Sequence, residues 1–355
     1  MVIFSNSTVE QFLDIYSKNF VVACKGIGKT LLLKYKRFLM EKHFSPSNEG
    51  SSISFIPHST PYLDFVSDFG SINANDKKLM EDLYTSKKMW TVAIMISVLS
   101  EYNSKTQLKF HKHDLEINEL KNMYDHKFKR YIDLFTGESS FNPCFVLRLM
   151  LTKMNNSEIK RFLDEYYPII EELFRSVQSG VFVFIDRVDQ ALTSYGINVW
   201  INFQAGLIEA AWDAMRINNH IKIYTSMRQE AWLSYTSPDK EAIKGNVSII
   251  RYSHDDLFNI SNHHCSYYEN KRTVYDFLGF KEIKNAFCGT AEDSFDYIER
   301  HTLGRPRDLM AIFSAISPYR KKMSNDYFRE IVNTTSNIDI GKNVFKELIF
   351  FVSFS

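Results

Sequence analysis

Gly26, Gly28, Lys29 and Thr30 stand close together in the stretch VVACKGIGKTLLLK at residues 21–34. Glycines at alternate positions, followed by a lysine and a hydroxyl, suit the gripping of a chain of phosphates. Successive main-chain N–H groups can turn inward around an anion, and a following helix presents its N-terminus to the same charge. Gly26 and Gly28 permit backbone conformations and a close approach that a side chain would obstruct. Lys29 would supply charge to the outer phosphates and Thr30 a hydroxyl to Mg2+. The binding segment is then Lys25, Gly26, Ile27, Gly28, Lys29, Thr30 and Leu31. The usual pattern, G-x-x-x-x-G-K-[ST], opens on a glycine, and Ala23 stands in that place. Alanine serves there provided its φ is negative. The plainer alternative is a helix start that happens to contain glycines.

Three further groups could join such a site. VFVFIDRVDQ at 181–190 ends an apolar run in Asp186, where a carboxylate could hold Mg2+ through water. The next position often carries the acid that orients the attacking water. Here it is Arg187, which leaves Asp189 as the nearest alternative acid. Asp186 could instead cap its loop and Asp189 begin a helix. IKIYTSMRQEAW at 221–232 offers Thr225, Ser226 and Arg228 as sensors of a terminal phosphate, with Arg228 as a charge clamp or an ordinary surface arginine. HTLGRPRDLMAIF at 301–313 sets Arg305 and Arg307 around Pro306 at the start of an amphipathic pattern. Two cations at a helix N-terminus oppose its dipole, so a nearby anion is expected, Asp308 serving in part. A solvated basic turn is the alternative.

These residues need strands and helices to position them. NFVVA (19–23), ISFIP (53–57), GVFVFID (180–186), IKIYTS (221–226) and NVSIIRY (246–252) read as strands. Alternation with helical patterns predicts an α/β fold with a parallel sheet. Residues 60–178 carry almost no strand signal and read as a long helical insertion, with Ser86 as an N-cap, a weakly periodic stretch at 105–128, and Pro168 predicting a kink or break. SHDDL at 253–257 signals a helix start, and the rest reads as helical without a confident strand. The domain expectation is a core over 1–255, including the insertion, and a helical lid over 256–355.

Composition bounds the remaining possibilities. The chain has 355 residues, enough for two domains or one large α/β domain with an appendage. A net charge of +1 gives no global argument for nucleic acid, although Arg320, Lys321 and Lys322 make a local basic run. The four cysteines, Cys24, Cys144, Cys265 and Cys288, form no C-x-x-C pair, which fits a reducing cytoplasm rather than a zinc ribbon or disulfide framework. NHHCS at 262–266 matches zinc spacing poorly. No signal peptide or membrane span is expected, so a cytoplasmic location follows.

With the four groups in this order, the chain resembles the additional-strand P-loop ATPases of the STAND and AAA+ type. KGIGKT looks like their Walker A motif, IDRVD like a Walker B with the second acid displaced, and TSMR like the arginine-bearing sensor strand. GRPRDL is similar to the G-R-P-R-[DE]-L lid signature of STAND-like ATPases in bacterial anti-phage defence proteins. The resemblance covers about 19–40 and 180–320. It implies a P-loop NTPase core with a five-stranded parallel sheet, ATP with Mg2+ held by Thr30 and Asp186, and a helical lid whose arginine touches the nucleotide. That arginine maps to Arg307 or Arg305, with Pro306 near the adenine. Catalytic roles would fall to Asp186, Asp189, Arg228 and Arg307. Arg187, where a glutamate is usual, leaves hydrolysis open.

The expected function is an ATP-operated switch whose lid movement controls a protein partner, a separate effector or self-assembly as a homo-oligomer. The alternatives are a DNA-associated AAA+ or origin-recognition-like ATPase, which would need a basic stripe or winged helix, and a module that holds ATP without hydrolysing it.

Overall fold

The computed structural model of the chain describes residues 6–44, 53–56, 74–106, 142–192, 195–284 and 289–345. The chain forms two compact units, one of Phe12–Val22 and Leu33–Ser248, the other of Met1–Gln11, Ala23–Leu32 and Ile249–Ser355. The elements begin with α1 (Ser7–Leu13), β1 (Phe20–Ala23), α2 (Lys29–His43) and β2 (Ser54–Ile56). Then come α3 (Ala74–Glu81), α4 (Leu83–Thr106), α5 (Pro143–Lys153) and α6 (Asn156–Arg175). The chain returns to the sheet through β3 (Val181–Ile185), α7 (Val188–Ala191), α8 (Ile197–Ile217), β4 (Ile221–Arg228), α9 (Gln229–Ser234), α10 (Asp239–Lys244) and β5 (Val247–Ile249).

The architecture is mixed α/β. The sheet order is β2-β3-β4-β1-β5, and β2 with β3 and β3 with β4 pair in parallel. Every residue of β1 and β3 is buried, as expected of strands covered on both faces. The register sets Phe184 against Tyr224 and Ile185 against Thr225, so Asp186, just past β3, lies beside Ser226 of β4.

The described part of the segment between β2 and β3 holds helices joined by short connections and no strand, although little of 105–128 falls within the described residues. One local expectation is corrected, and a second is narrowed to a kink without a break. Ser86 lies inside α4 and is fully buried, its hydroxyl donating to Met80 O. Asp82 does the capping, accepting from the main-chain N–H of Thr85 at 2.8 Å and its hydroxyl at 2.6 Å. Pro168 sits within α6 without ending it. A capping box between Asn155 and Glu158 fixes the start of that helix, and Ile159, Phe162, Leu163, Tyr166, Ile170 and Phe174 bury one face.

Gly206 lets α8 approach α4. A Cβ there would lie 2.9 Å from Lys87 N and Ser86 C, closer than side chains approach backbone. Trp90 Nε1 closes the same crossing by donating to Phe203 O at 2.9 Å. Gly206→Ala should therefore destabilise this unit by about 3 kcal/mol, because backbone rather than a rotamer must yield. Urea denaturation checks this. A cost below about 0.5 kcal/mol would contradict the contact.

Lys36 of α2 is fully buried. Its Nζ donates to the carbonyls of Phe12 (2.6 Å), Asp14 (3.2 Å) and Lys18 (2.5 Å), and lies 4.7 Å and 4.5 Å from the centroids of the Phe12 and Tyr224 rings. Burial pushes its pKa down to about 7, against the opposing pull of Asp14.

The other unit carries α11 (His254–Glu269), α12 (Val274–Leu278), β6 (Glu282–Lys284), β7 (Ala291–Asp293), α13 (Ser294–Arg300), α14 (Pro306–Ile316) and α15 (Asn325–Thr335). The expected helix start at 253 is present, with Ser253 and Asp256 forming a capping box. The antiparallel pair β6–β7 corrects the expectation of helices alone; its three-residue strands are too short for alternation to register. Phe277, Ile283, Phe295, Ile298, Leu309 and Phe313 belong to one buried core.

His254 bridges two carboxylates of α13. Its Nδ1 pairs with Glu299, and its Nε2 lies 3.6 Å from Asp296. The hydrogen bond to Glu299 is the largest influence and raises the imidazole pKa above its ordinary value. A raised folded-state pKa contributes stability below the unfolded value and loses it as pH climbs through the folded one. The side chain is 51% exposed, so the contribution is held to about 0.5 kcal/mol. His254→Gln should lower Tm at pH 6 and leave it unchanged at pH 9; a difference independent of pH would remove the imidazolium from the account.

Candidate functional site

The residues that the sequence singled out fall into two groups, one in each unit. In the unit holding Ala23–Leu32 and Ile249–Ser355, the glycine loop follows Ala23, which ends β1 fully buried. Ala23 is not among the residues with positive φ, and that is why alanine is tolerated where the pattern has glycine. Gly26 and Gly28 adopt φ of 90° and 105°, conformations that favour glycine. Ile27 is buried and anchors the turn, while Lys25, Gly26, Gly28, Lys29 and Thr30 are half-buried and Leu31 is exposed. Lys29 Nζ donates to the carbonyls of Ala23 (3.0 Å) and Cys24 (3.1 Å), so its ammonium is folded back along the loop.

The GRPRD turn meets this loop. Arg307 N donates to Gly26 O at 3.3 Å. A Cβ added to Gly26 would lie 3.2 Å from Arg307 Nε and 3.3 Å from Arg305 Cδ, so both side chains pass over the glycine. Arg305 occupies the N-cap position of α14, buried and without a side-chain capping bond, and donates through Nε to Asp308 Oδ2 at 2.6 Å. Arg307 is more exposed, with Nε 3.6 Å from Asp308 Oδ1. Pro306, half-buried, is the first residue of α14. The two segments, 23–32 and 304–308, carry four cations and one carboxylate, Asp308, which is itself buried between the arginines. Main-chain amides at a helix start and left-handed glycines suit a polyphosphate.

The second group sits where β3 and β4 end. Asp186 and Ser226 are both buried, and Ser226 Oγ donates to Asp186 Oδ1 at 2.5 Å. The hydroxyl reaching Asp186 is therefore that of Ser226, not that of the neighbouring Thr225. Arg187 follows with φ of 64°, an uncommon conformation for a side chain of its size and a place where strain is held. Asp189 lies in the first turn of α7, with its carbonyl accepting from Trp200 Nε1 at 3.1 Å and its carboxylate 3.7 Å from Arg228 Nη1.

Arg228 is a buried hub rather than a surface arginine. Nε and Nη2 donate to the two oxygens of Glu230 at 3.1 and 2.8 Å, its main-chain N–H donates to Gln204 Oε1 at 3.2 Å, and the guanidinium lies 5.8 Å from the Trp200 ring centroid. Acting as a phosphate clamp would require it to give up Glu230. Glu230 and Gln204 were not anticipated. The Arg-x-Glu spacing was visible, but nothing in the sequence showed that Arg228 would turn toward α7 and α8.

Thr30 and Asp186 offer hard oxygens of the kind that Mg2+ takes. The basic run at 320–322 spans a short 3-10 segment, and Cys144 and Cys265 are buried free thiols. Burial pushes the Cys265 thiol up to about 12, which suits a structural residue of the NHHCS stretch. Cys288 lies outside the described residues. Among the described residues no helix is long and apolar enough to cross a membrane.

No family model, curated protein or solved structure matches this chain.

Proposed function

We propose that the chain binds ATP with Mg2+ through residues 25–31 and the Arg305–Pro306–Arg307 turn, and that it works as a nucleotide-operated switch for a protein partner or for assembly with further copies. The observation that carries this reading is the meeting of Gly26 with Arg305 and Arg307, residues about 280 positions apart in the sequence. A triphosphate held by the loop amides and these guanidiniums would tie α2's first turn to α14. Its loss would release two cations from one another's company, and an equilibrium responds to a ligand only through such differential contacts. Asp186 is the carboxylate proposed for Mg2+, and Pro306 the residue proposed for the adenine side.

Calorimetry of Mg·ATP against wild type, Lys29→Ala and Asp186→Asn tests the reading, with phosphate release measured separately. Wild type should bind saturably and Lys29→Ala should lose at least about 30-fold in affinity, as removal of a charge-assisted contact implies. Wild type without saturable binding would end the proposal.

A second reading, ATP held without turnover, is favoured by one observation. Asp189, the alternative acid for hydrolysis, is ion-paired with buried Arg228. Saturable binding with no phosphate release, even with partners present, is its signature.

A further inference from the structure

We infer that the end of α11 and the 3-10 segment Ser317–Lys322 form a binding face for single-stranded nucleic acid. The face lies within one unit and is independent of the nucleotide reading above. Tyr267 and Tyr268 stand in the last turn of α11 at 62% and 68% exposure, and Tyr319, two residues past Ser317, is at 48%. Glu269 joins the two segments by accepting from Ser317 Oγ at 2.7 Å. Tyr268 packs on His264 with ring centroids 4.7 Å apart, and His264 is backed in turn by Phe313 of the core at 6.4 Å. Tyr267 meets Tyr268 edge-on at 4.8 Å, as Tyr319 meets Tyr327 at 5.3 Å. These contacts hold the rings in place while most of their surface stays open, which is what a stacking base requires.

The charge around the rings selects the partner. Asn270 ends α11 at φ of 52°, and the chain turns there into Lys271 and Arg272, both exposed. In the sequence Arg320, Lys321 and Lys322 follow Tyr319 directly. Of the acids nearby, Glu269, Asp276 and Asp326 are engaged by Ser317 Oγ, the Thr273 N–H and Arg329, and Glu330 stands near Tyr327, so cations remain in excess. Further acids gather at the other end of α11, with Asp255 and Asp256 in its first turn and Asp296 and Glu299 of α13 beside His254. Sixteen helical residues span about 24 Å, well beyond a Debye length at physiological salt, so those acids do not cancel the field at the aromatic end. Open rings beside cations suit a strand whose bases can stack on the rings while its phosphates meet the cations. A duplex has its base faces already covered.

The test is fluorescence anisotropy of the full chain with a labelled oligothymidylate of about 20 nucleotides, without ATP or Mg2+. Binding should be saturable, and log K against log[salt] should fall with a slope of about −2 to −4, as roughly three to five phosphate contacts on a single strand imply. Tyr268→Ala should weaken binding by about 10-fold and Tyr268→Phe should retain it, since stacking needs the ring and not the hydroxyl. Joint replacement of Lys321 and Lys322 by alanine should flatten the slope by about 1. No saturable binding at low salt overturns the inference. So does equal affinity for a duplex of the same length, or wild-type affinity in Tyr268→Ala, which marks a bare electrostatic contact. Poly-L-glutamate that competes as well as unlabelled oligothymidylate would assign the face to acidic proteins instead. If Tyr268→Ala does not fold, Tyr319→Ala should show the same kind of loss, and wild-type affinity there would count against the face.

Discussion

Replacing Gly26 by valine should lower Mg·ATP affinity by at least about 100-fold, the loss of two charge-assisted hydrogen bonds from displaced arginines. Two costs act at once. A side chain at φ of 90° is strained by about 1–3 kcal/mol. Its first carbon would also lie 3.2 Å from Arg307 Nε and 3.3 Å from Arg305 Cδ, with valine's methyls reaching further. Gly28 provides the control. At φ of 105° it carries comparable strain, but among the described residues no atom would lie within 4 Å of an added Cβ. Arg307→Ala should add little to Gly26→Val, whereas its effect should add nearly in full to that of Gly28→Ala. Calorimetry of the three single and two double variants gives both cycles. Full additivity on both glycines would show that the arginines do not depend on Gly26.

Lys36→Met should cost about 2–3 kcal/mol at pH 7 even though the replacement is apolar and similar in length. Methionine fills the space between Phe12 and Tyr224, but it cannot donate to the carbonyls of Phe12, Asp14 and Lys18. The pH dependence gives a second readout. The folded-state pKa, about 7, lies below the unfolded 10.5, so between these values the unfolded chain binds more protons and wild-type stability rises with pH. Lys36→Met lacks that rise, so the gap between the two proteins should widen from pH 7 to pH 9 in urea denaturation. A gap that narrows would mean that the ammonium is favoured by its carbonyls over its burial.

These expectations show which parts of the molecule the sequence could disclose. The strands VFVFI and FVVA were legible because burial on both faces leaves unbroken apolar runs. The glycine loop was legible because its backbone requirement is written in residue type, and Ala23 proved consistent with it by ending a strand. Helix starts were legible where the cap was followed by its partner three residues on, as at Ser253 and Asp256. Ser86 misled because serine serves equally well buried inside a helix, bonded to a carbonyl; Asp82, four residues earlier, was the cap. Pro168 does not break its helix, because surrounding packing can carry a helix through a proline. Of the site, residue types and order were readable, and the partnerships were not. Arg228 with Glu230, Asp186 with Ser226, and Arg307 with Gly26 depend on how strands and turns align in space.

That last partnership carries the functional proposal, and hydrogen exchange read by mass spectrometry tests it most directly. A slowly hydrolysed ATP analogue with Mg2+ is added at saturating concentration, and amide protection is followed in peptides covering 24–31 and 304–309. The account expects both peptides to gain protection together, with Arg307→Ala abolishing the gain at 304–309 and weakening it at 24–31. Protection of neither peptide at millimolar nucleotide, or of one without the other, would contradict a shared anion between the loop and the arginine turn.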